Sequence, residues 1–230
     1  MKSHFNKSII SSTLVGLMFY TTMLVADDFP EVTEDGLHKI SDSKLSLVYA
    51  KEDVDLSVYN KVLLLDATVA FKKNWKRDQN RSYSFKVNAK DMERMKSELA
   101  ELFREVFTET LNEAGHDLVD EAAEDVLIVR PAIVNLDAKA PATLRASRSY
   151  QLTDSAGEMT LYIELYDSVT GDILVKALDR RADRRSAYFE WQTKASNRAV
   201  AKKMLTGWAD TLSAALANAQ STATDSGEDE

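Results

Sequence analysis

The stretch Lys61-Val-Leu-Leu-Leu-Asp-Ala-Thr-Val-Ala-Phe71 is a nearly continuous apolar run. A strand that is covered on both faces has this composition, because neither of its faces meets water. We therefore expect residues 61–71 to form the central strand of a sheet. Residues 72–87, which follow it, are polar, basic and aromatic, and this composition indicates a long connection.

A long amphipathic helix is predicted after this connection. Asn88 is a suitable N-cap, and apolar residues recur at intervals of three and four from Met92 to Leu111. Gly115 lies where such a helix is expected to end.

A second helix is predicted from Ser196, with an apolar stripe that runs from Val200 to Ala219. Gly207 lies within it, although glycine in a helix costs about 1 kcal/mol relative to alanine. This position therefore predicts close packing of the helix against a neighbouring element.

Three strands are predicted between the two helices, at residues 125–136, 158–166 and 173–182. Pro131 in the first of them indicates an edge position or a bulge. Apolar and polar residues alternate through 158–166, so one face of that strand is expected to be covered and the other partly solvated. Asp167, Thr170 and Gly171 are predicted to be structural residues of a tight hairpin that leads to the third strand.

This order of elements, β-α-β-β-β-α, predicts an α+β fold in which a four-stranded mixed sheet carries two long helices on one face. The first crossover is expected to leave the first two long strands parallel. The predicted organisation is a signal peptide at 1–26, an acidic irregular lead-in at 27–60, a single α+β domain at 61–220 and a disordered acidic tail at 221–230.

The first 26 residues have the layout of a secretory signal peptide. Lys2 and Lys7 precede an apolar run from Ile9 to Ala26, and this segment contains no acidic residue. We expect a periplasmic or secreted protein of a Gram-negative bacterium. An uncleaved N-terminal membrane anchor is the alternative, although its uninterrupted apolar part is short for a span of about 20 residues.

The composition excludes several kinds of chemistry. The 230 residues contain no Cys, which rules out a disulfide partner, thiolate metal sites and cysteine nucleophiles. The three His residues include no pair at metal-ligand spacing, and the sequence has neither a phosphate-binding glycine loop nor a nucleophile elbow. We therefore predict no catalytic residue, no metal site and no cofactor, and whether the protein is an enzyme stays open.

Positive charge is concentrated in two segments of a chain whose net charge is −8. Residues 71–87 carry six basic residues against one acidic residue, and residues 173–203 carry nine against three. If both segments lie at one end of the sheet, they form a basic, aromatic surface for an anionic partner. The predicted surface residues are Lys72, Lys73, Trp75, Lys76, Arg77, Arg81, Arg145, Arg148, Arg180, Arg181, Arg184, Arg185 and Trp191. The alternative is that these cations pair with acidic residues of the same chain.

Several segments resemble a bacterial envelope family catalogued as domain of unknown function 3313. They are Asp35-Gly-Leu37, Leu56-Ser-Val-Tyr-Asn-Lys-Val-Leu-Leu-Leu65, Asp125-Val-Leu-Ile-Val-Arg130, and Leu165-Tyr-Asp-Ser-Val-Thr-Gly-Asp-Ile-Leu174 followed by Asp179-Arg-Arg181. The resemblance implies an envelope location and a fold similar to the TolB N-terminal domain type. Many relatives look like lipoproteins with a cysteine at the end of the leader, which this chain lacks. The family has no established activity.

These observations predict an uncharacterised secreted envelope protein that acts as a non-catalytic binding or assembly module. Its partner is expected to be an envelope protein or an anionic envelope component, such as lipid phosphate or a polymer. Nucleic acid is excluded by the acidic balance and the predicted compartment. The alternative function is a periplasmic small-ligand binding protein or hydrolase with a pocket under residues 72–87.

Overall fold

A computed structural model describes residues 29–82, 86–138, 152–153, 157–183, 190–191 and 194–226. The predicted signal peptide at 1–26 lies outside the described residues. The helices are α1 (Trp75–Ser82), α2 (Ala89–Glu113) and α3 (Lys194–Ser226). The strands are β1 (His38–Lys39), β2 (Leu47–Ala50), β3 (Lys61–Leu64), β4 (Thr68–Phe71), β5 (Asp117–Leu118), β6 (Val126–Ala138), β7 (Leu152–Thr153), β8 (Gly157–Asp167), β9 (Ile173–Ala182) and β10 (Glu190–Trp191).

Eight of these strands form one mixed sheet, so the fold is α+β as predicted. The strand order is β1-β2-β9-β8-β6-β3-β5, and β4 also pairs with β6 beyond the end of β3. The strands β3 and β4 run parallel to β6, as expected for a helical crossover, whereas β6, β8 and β9 form an antiparallel meander. Strands β7 and β10 form a separate antiparallel pair. The predicted four-stranded sheet is therefore too small.

The sheet is wider than predicted partly because the lead-in is not irregular throughout. Residues 47–50 form β2, which pairs antiparallel with β9, and residues 38–39 form β1 on the outer side of β2. These strands are only four and two residues long. Strands this short carry little periodic pattern in the sequence, and their pairing depends on the exposed edge of β9.

The apolar run at 61–71 is two strands instead of one central strand. Its β3 and β4 portions are interrupted at residues 65–67, and they are only partly buried. The central position belongs to β6, which is paired on both sides. Pro131 lies in β6 opposite the break between β3 and β4, so its missing N–H falls where the neighbouring ladder is interrupted.

The helices α2 and α3 pack on one face of the sheet and close a single large core. Asn88 caps α2, since its side chain accepts a hydrogen bond from the backbone N–H of Asp91 and the Asp91 carboxylate accepts one from the N–H of Asn88. The buried stripe of α2 is the predicted one: Leu99, Leu102, Phe103, Val106, Phe107 and Leu111. Each such side chain contributes about 1.5–3 kcal/mol of burial free energy.

The position of α3 is fixed by a partly buried polar cluster, which we call the Asp179 cluster and define as Ser46, Asp179, Arg181 and Trp208. The Asp179 carboxylate accepts hydrogen bonds from Ser46 N (3.1 Å), Ser46 Oγ (2.6 Å) and Trp208 Nε1 (2.7 Å). The Arg181 guanidinium lies 5.2 Å from the centre of the Trp208 ring and donates to the carbonyls of Met204 (3.0 Å) and Gly207 (3.1 Å). One cluster thus joins the lead-in, β9 and α3.

Gly207 shows the close packing that its sequence position predicts. A Cβ atom added there would fall on Nη1 of Arg181, well inside contact distance. Further along, α3 continues to Ser226, so the predicted disordered tail at 221–230 is wrong over residues 221–226. That segment contains neither Gly nor Pro, so nothing in it forces the helix to end. Residues 227–230 lie outside the described residues.

The substitution Gly207→Ala is expected to lower the free energy of unfolding by about 1–2 kcal/mol, because the added methyl displaces the Arg181 guanidinium. Helix propensity alone predicts a gain of about 1 kcal/mol. In an Arg181→Ala background the clash is absent, and Gly207→Ala is expected to raise the free energy of unfolding. Urea unfolding of the four proteins measures both effects, and a gain from Gly207→Ala in the wild-type background would contradict the packing described.

The Asp179 cluster also predicts a pH dependence. Burial raises the pKa of the Asp179 carboxyl, but the hydrogen bonds from Ser46, Trp208 and Arg181 outweigh it and hold the pKa below its ordinary value. Its stabilising contribution is therefore complete above the unfolded pKa of about 3.9 and is lost as the pH falls through the lower folded value.

We expect Asp179→Asn to cost about 1–3 kcal/mol at pH 7 and progressively less below about pH 4. Unfolding by urea at several pH values measures this difference. The control is Asp210→Asn, an exposed position on α3, where the change at pH 7 is expected to stay within about 0.5 kcal/mol. A cost for Asp179→Asn that grows as the pH falls would refute the assignment.

Candidate functional site

The two basic segments meet at one end of the sheet, where β4 and β9 end and β8 begins. Lys72 Nζ lies 3.0 Å from an Asp137 carboxylate oxygen and 3.8 Å from one of Glu158. Arg180 on β9 also pairs with Glu158. Lys72 and Arg180 thus contact the same carboxylate, although they are more than a hundred residues apart in the chain.

Acidic residues of the chain offset the charge of these two cations. The hydrogen bond to Asp137 and the charge of Asp137 raise the pKa of Lys72 above its ordinary value. Pairs this exposed contribute little to stability, typically about 0–1 kcal/mol. Lys72 and Arg180 therefore follow the alternative interpretation, in which cations pair within the chain.

The helix α1 lies beside this end of the sheet and is held by a buried tryptophan. The Trp75 ring stacks on Phe71 with centroids 4.1 Å apart, and its Nε1 donates a 2.8 Å hydrogen bond to the carbonyl of Ala138. Only 3% of Trp75 is exposed, so it does not belong to the predicted aromatic surface. Val87, Met92 and Met95 complete the small apolar cluster around it.

A pair of hydrogen bonds fixes the C-terminal end of α1. Asn80 Oδ1 accepts a hydrogen bond from Val87 N at 2.7 Å, and Asn80 Nδ2 donates to Val87 O at 3.1 Å. Because Val87 directly precedes the N-cap of α2, this pair of bonds joins the end of α1 to the start of α2. Trp75 and Asn80 together hold a short helix that could not persist alone.

The outward side of α1 is basic. Lys76, Arg77 and Arg81 on α1 are exposed, and so is Lys73, two residues before the helix begins. Arg77 pairs with its neighbour Asp78 at 2.9 Å. Within the described part of the chain, Lys73, Lys76 and Arg81 make no ion pair. We call Lys73, Lys76, Arg77 and Arg81 the α1 surface.

The remaining predicted surface residues fall into two groups. Arg181 is half-buried and belongs to the Asp179 cluster, where its donors are used by Asp179 and by carbonyls of α3. Arg145, Arg148, Arg184 and Arg185 lie outside the described residues, and Trp191 is described only by its backbone in β10.

The hairpin between β8 and β9 has the geometry of a tight turn. The Asp167 carboxylate accepts hydrogen bonds from the backbone N–H groups of Thr170 (2.7 Å) and Val169 (2.9 Å), and Gly171 has φ = 73°. The Thr170 bond is the largest cause of a lowered Asp167 pKa, followed by a 2.8 Å bond from the Tyr59 hydroxyl. Burial and this carboxylate raise the pKa of Tyr59 to about 12.

A polar cluster on the other face of the sheet was not predicted. Glu164 is only 5% exposed, and its carboxylate accepts hydrogen bonds from the hydroxyls of Tyr162 (2.6 Å) and Tyr166 (2.9 Å). Arg130 pairs with it at 2.6 Å and lies 5.3 Å from the centre of the Tyr166 ring. The alternation of 158–166 places these residues on one face but does not show that Arg130 from β6 reaches them.

A cavity of about 370 Å³ lies between α2, α3 and the sheet. Its apolar lining comprises Met95, Leu99, Leu102, Leu136, Ala138, Met159 and Ala201, and its polar and charged lining comprises Asn197, Glu98, Glu101 and Arg198. None of the described residues between 72 and 87 lines it. This cavity is therefore not the pocket predicted under residues 72–87.

Two further features bear on chemistry and location. The described residues contain no group of three or more His, Asp or Glu side chains suited to a metal ion. Among the helices of the described chain, none is both long enough and apolar enough to span a bilayer.

A family model described as "Protein of unknown function (DUF3313)" matches residues 31–212. The chain belongs to this family. No curated protein matches the sequence. The DUF3313 membership confirms the resemblance seen in the hairpin and strand motifs.

Several solved structures resemble the chain weakly, at low sequence identity. The PelC dodecamer of Paraburkholderia phytofirmans is 12% identical, with a TM-score of 0.35 over 70% of this chain and 93% of that one. A minor lipoprotein of Acinetobacter baumannii is 12% identical, with a TM-score of 0.31 over 68% and 94%. A DUF330 protein of Xanthomonas campestris is 12% identical, with a TM-score of 0.40 over 73% and 90%. Similarity at this level assigns no ligand or activity to the chain.

The anchoring of α1 is tested by Asn80→Ala, which removes both bonds to Val87. We expect trypsin to cleave α1 after Lys76, Arg77 or Arg81 at least several times faster, because proteolysis requires local opening of the helix. Peptide mapping by mass spectrometry identifies the cut sites. Asn60→Ala, the same side-chain change at an exposed position outside α1, is the control and is expected to leave cleavage in α1 at the wild-type rate. Equal rates for all three proteins would show that Asn80 does not hold the helix.

Proposed function

We propose that the protein is a non-catalytic binding module of the bacterial cell envelope whose interaction surface is the α1 surface. The family assigns no activity, and the predicted leader supports a periplasmic or secreted location. The partner we propose is anionic: lipid phosphates, an anionic polymer or an acidic envelope protein. These share the chemistry of closely spaced phosphate or carboxylate groups.

The observation that carries this proposal is the contrast between the two sides of α1. One side is fixed by buried Trp75, and the other presents Lys73, Lys76 and Arg81 with no ion pair in the described residues. Among the described residues, ion pairs account for Lys72 and Arg180 but not for these three cations. A rigid basic helix suits an extended anionic surface, because each Lys or Arg near an anionic membrane contributes about 1 kcal/mol.

The double substitution Lys73→Glu/Lys76→Glu is expected to weaken binding to vesicles that contain phosphatidylglycerol by at least about 30-fold, since it removes two such contributions. Wild-type binding should fall steeply as salt is raised from low to physiological concentration. Vesicle co-sedimentation measures both effects, and phosphatidylcholine vesicles provide the uncharged surface.

The matched control is Lys44→Glu/Lys203→Glu, which makes the same change in net charge at exposed positions outside α1. It is expected to bind nearly as well as the wild type. Binding to a soluble anionic polysaccharide but not to vesicles would identify a polymer partner. If neither probe binds, and crosslinking in intact cells recovers no acidic partner at α1, the proposal fails.

A further inference from the structure

The outer edge of β4 is a strand edge that no other described strand covers. The strand β4 pairs with β6 on one side, and its register shift adds a residue to β6 and not to β4. Lys72 N donates to Leu136 O at 3.0 Å, so the backbone groups that face β6 belong to alternate residues counted back from Lys72. The N–H and C=O groups of Val69 and Phe71 therefore point away from β6. Each residue offers one donor and one acceptor at this edge.

The chain covers the neighbouring part of the same edge, along β3. Val62 O accepts a hydrogen bond from Val119 N at 3.0 Å, and Leu64 O accepts one from the Arg104 guanidinium at 3.1 Å. On the opposite side of the sheet, the lead-in pairs with β1. An uncovered edge is a template for pairing with another chain, and natural sheets protect such edges. Within the described residues, β4 is thus the place where this sheet can accept a further strand.

The edge of β4 is both accessible and held in place. Thr68 and Ala70 are exposed, whereas Val69 and Phe71 are half-buried and pack against the core. Phe71 also stacks on the buried Trp75 ring. The backbone of β4 is therefore already ordered, and a strand that pairs with it does not have to order both partners.

The chain that follows β4 gives this edge a positive end. Lys73 is exposed, makes no ion pair among the described residues and belongs to the α1 surface. It is two residues from Phe71, a span of about 7 Å. A strand added to β4 would therefore reach the α1 surface at this end, and carboxylates in it would be attracted there.

A second copy of the chain fits this edge less well than an acidic segment does. The carboxylate that precedes β4 in a second copy is Asp66, which is paired with Arg104 at 2.7 Å. Val69 and Phe71 would supply only a few hydrogen bonds between two copies, whereas a typical interface between proteins has about ten. Two copies would also each carry a net charge of −8.

We propose that the outer edge of β4 binds an extended acidic segment of a partner protein as an additional strand. The backbone of the segment pairs with Val69 and Phe71, and its carboxylates contact Lys73 and the rest of the α1 surface. A polypeptide is favoured because it carries N–H and C=O groups at the spacing of a strand. The inference rests on the proposed function, since it selects an acidic envelope protein from the three kinds of anionic partner.

The test uses protein expressed from the full-length chain and the fluorescently labelled peptide Glu-Glu-Thr-Val-Thr-Val-Thr-Glu-Glu. Its carboxylates reach Lys73 in either strand direction, and we expect saturable binding by fluorescence anisotropy at low salt. The matched control is the same peptide with its five central amides N-methylated, which keeps the charge and removes the donors. Its affinity should be at least about tenfold lower, because strand pairing needs these N–H groups.

The contribution of charge is measured separately with protein variants. Lys73→Glu is expected to weaken binding of the unmodified peptide at least about fivefold at low salt, and less as salt is added. Lys44→Glu makes the same change at an exposed position outside the α1 surface and should bind the peptide like the wild type.

Hydrogen exchange of the wild-type amides, followed by NMR, reads the edge directly. Without peptide, the Val69 and Phe71 amides should exchange faster than the Ala70 amide, which faces β6. Saturating peptide should slow exchange at Val69 and Phe71 by at least about tenfold and leave Ala70 unchanged. Bound peptide that protects neither Val69 nor Phe71 would overturn the proposal.

The remaining outcomes separate this proposal from the function proposed for the α1 surface. If both peptides bind equally and Lys73→Glu weakens both, the α1 surface binds acidic segments by charge alone, and only the strand pairing is refuted. Vesicle binding without peptide binding would also refute the strand and would support a lipid partner. Protection of Val69 and Phe71 that rises with protein concentration in the absence of peptide would identify a second copy as the occupant and overturn the proposal.

Discussion

The buried carboxylate of Asp179 is the interaction on which the arrangement of the other elements depends. It is 8% exposed, and it is satisfied by the backbone and hydroxyl of Ser46, by the Trp208 indole and by Arg181. A buried charge without such partners would be strongly unfavourable. The lead-in, the last long strand and the final helix must therefore come together as one unit, because each supplies a group that the carboxylate needs.

Contacts between residues that are distant in the chain, such as those of Asp179, are also what limits prediction of the fold from the sequence. Helix periodicity and strand alternation are local, so α2, α3, β8 and β9 follow from residue spacing alone. The strands β1 and β2 could not be found that way, because the edge of β9 that pairs with β2 lies more than a hundred residues downstream. The break between β3 and β4 is equally hidden, since residues 65–67 do not interrupt the apolar run strongly enough to divide it.

For the basic surface, the sequence shows how much positive charge is present but not where it lies in the fold. The excess of positive charge in residues 71–87 is visible in the sequence, but its distribution over the two sides of a helix is not. Trp75 is buried because Phe71 and the Ala138 carbonyl offer it stacking and a hydrogen-bond acceptor, and Ala138 lies 63 residues away in the chain. Arg181 is half-buried for a comparable reason. Gly207 has no side chain, and this leaves room for the Arg181 guanidinium beside α3.

The cavity and the apolar cluster around Trp75, which holds α1, have residues in common. Ala138 lines the cavity and accepts the hydrogen bond from Trp75, and Met95 both lines the cavity and packs against the Trp75 cluster. A ligand that moved this wall would reach α1 through Trp75. Such coupling would require the ligand to prefer one of two wall arrangements, because a guest with equal affinity for both shifts nothing. A second arrangement of the wall would have to break the stacking of Trp75 on Phe71 and its hydrogen bond to Ala138.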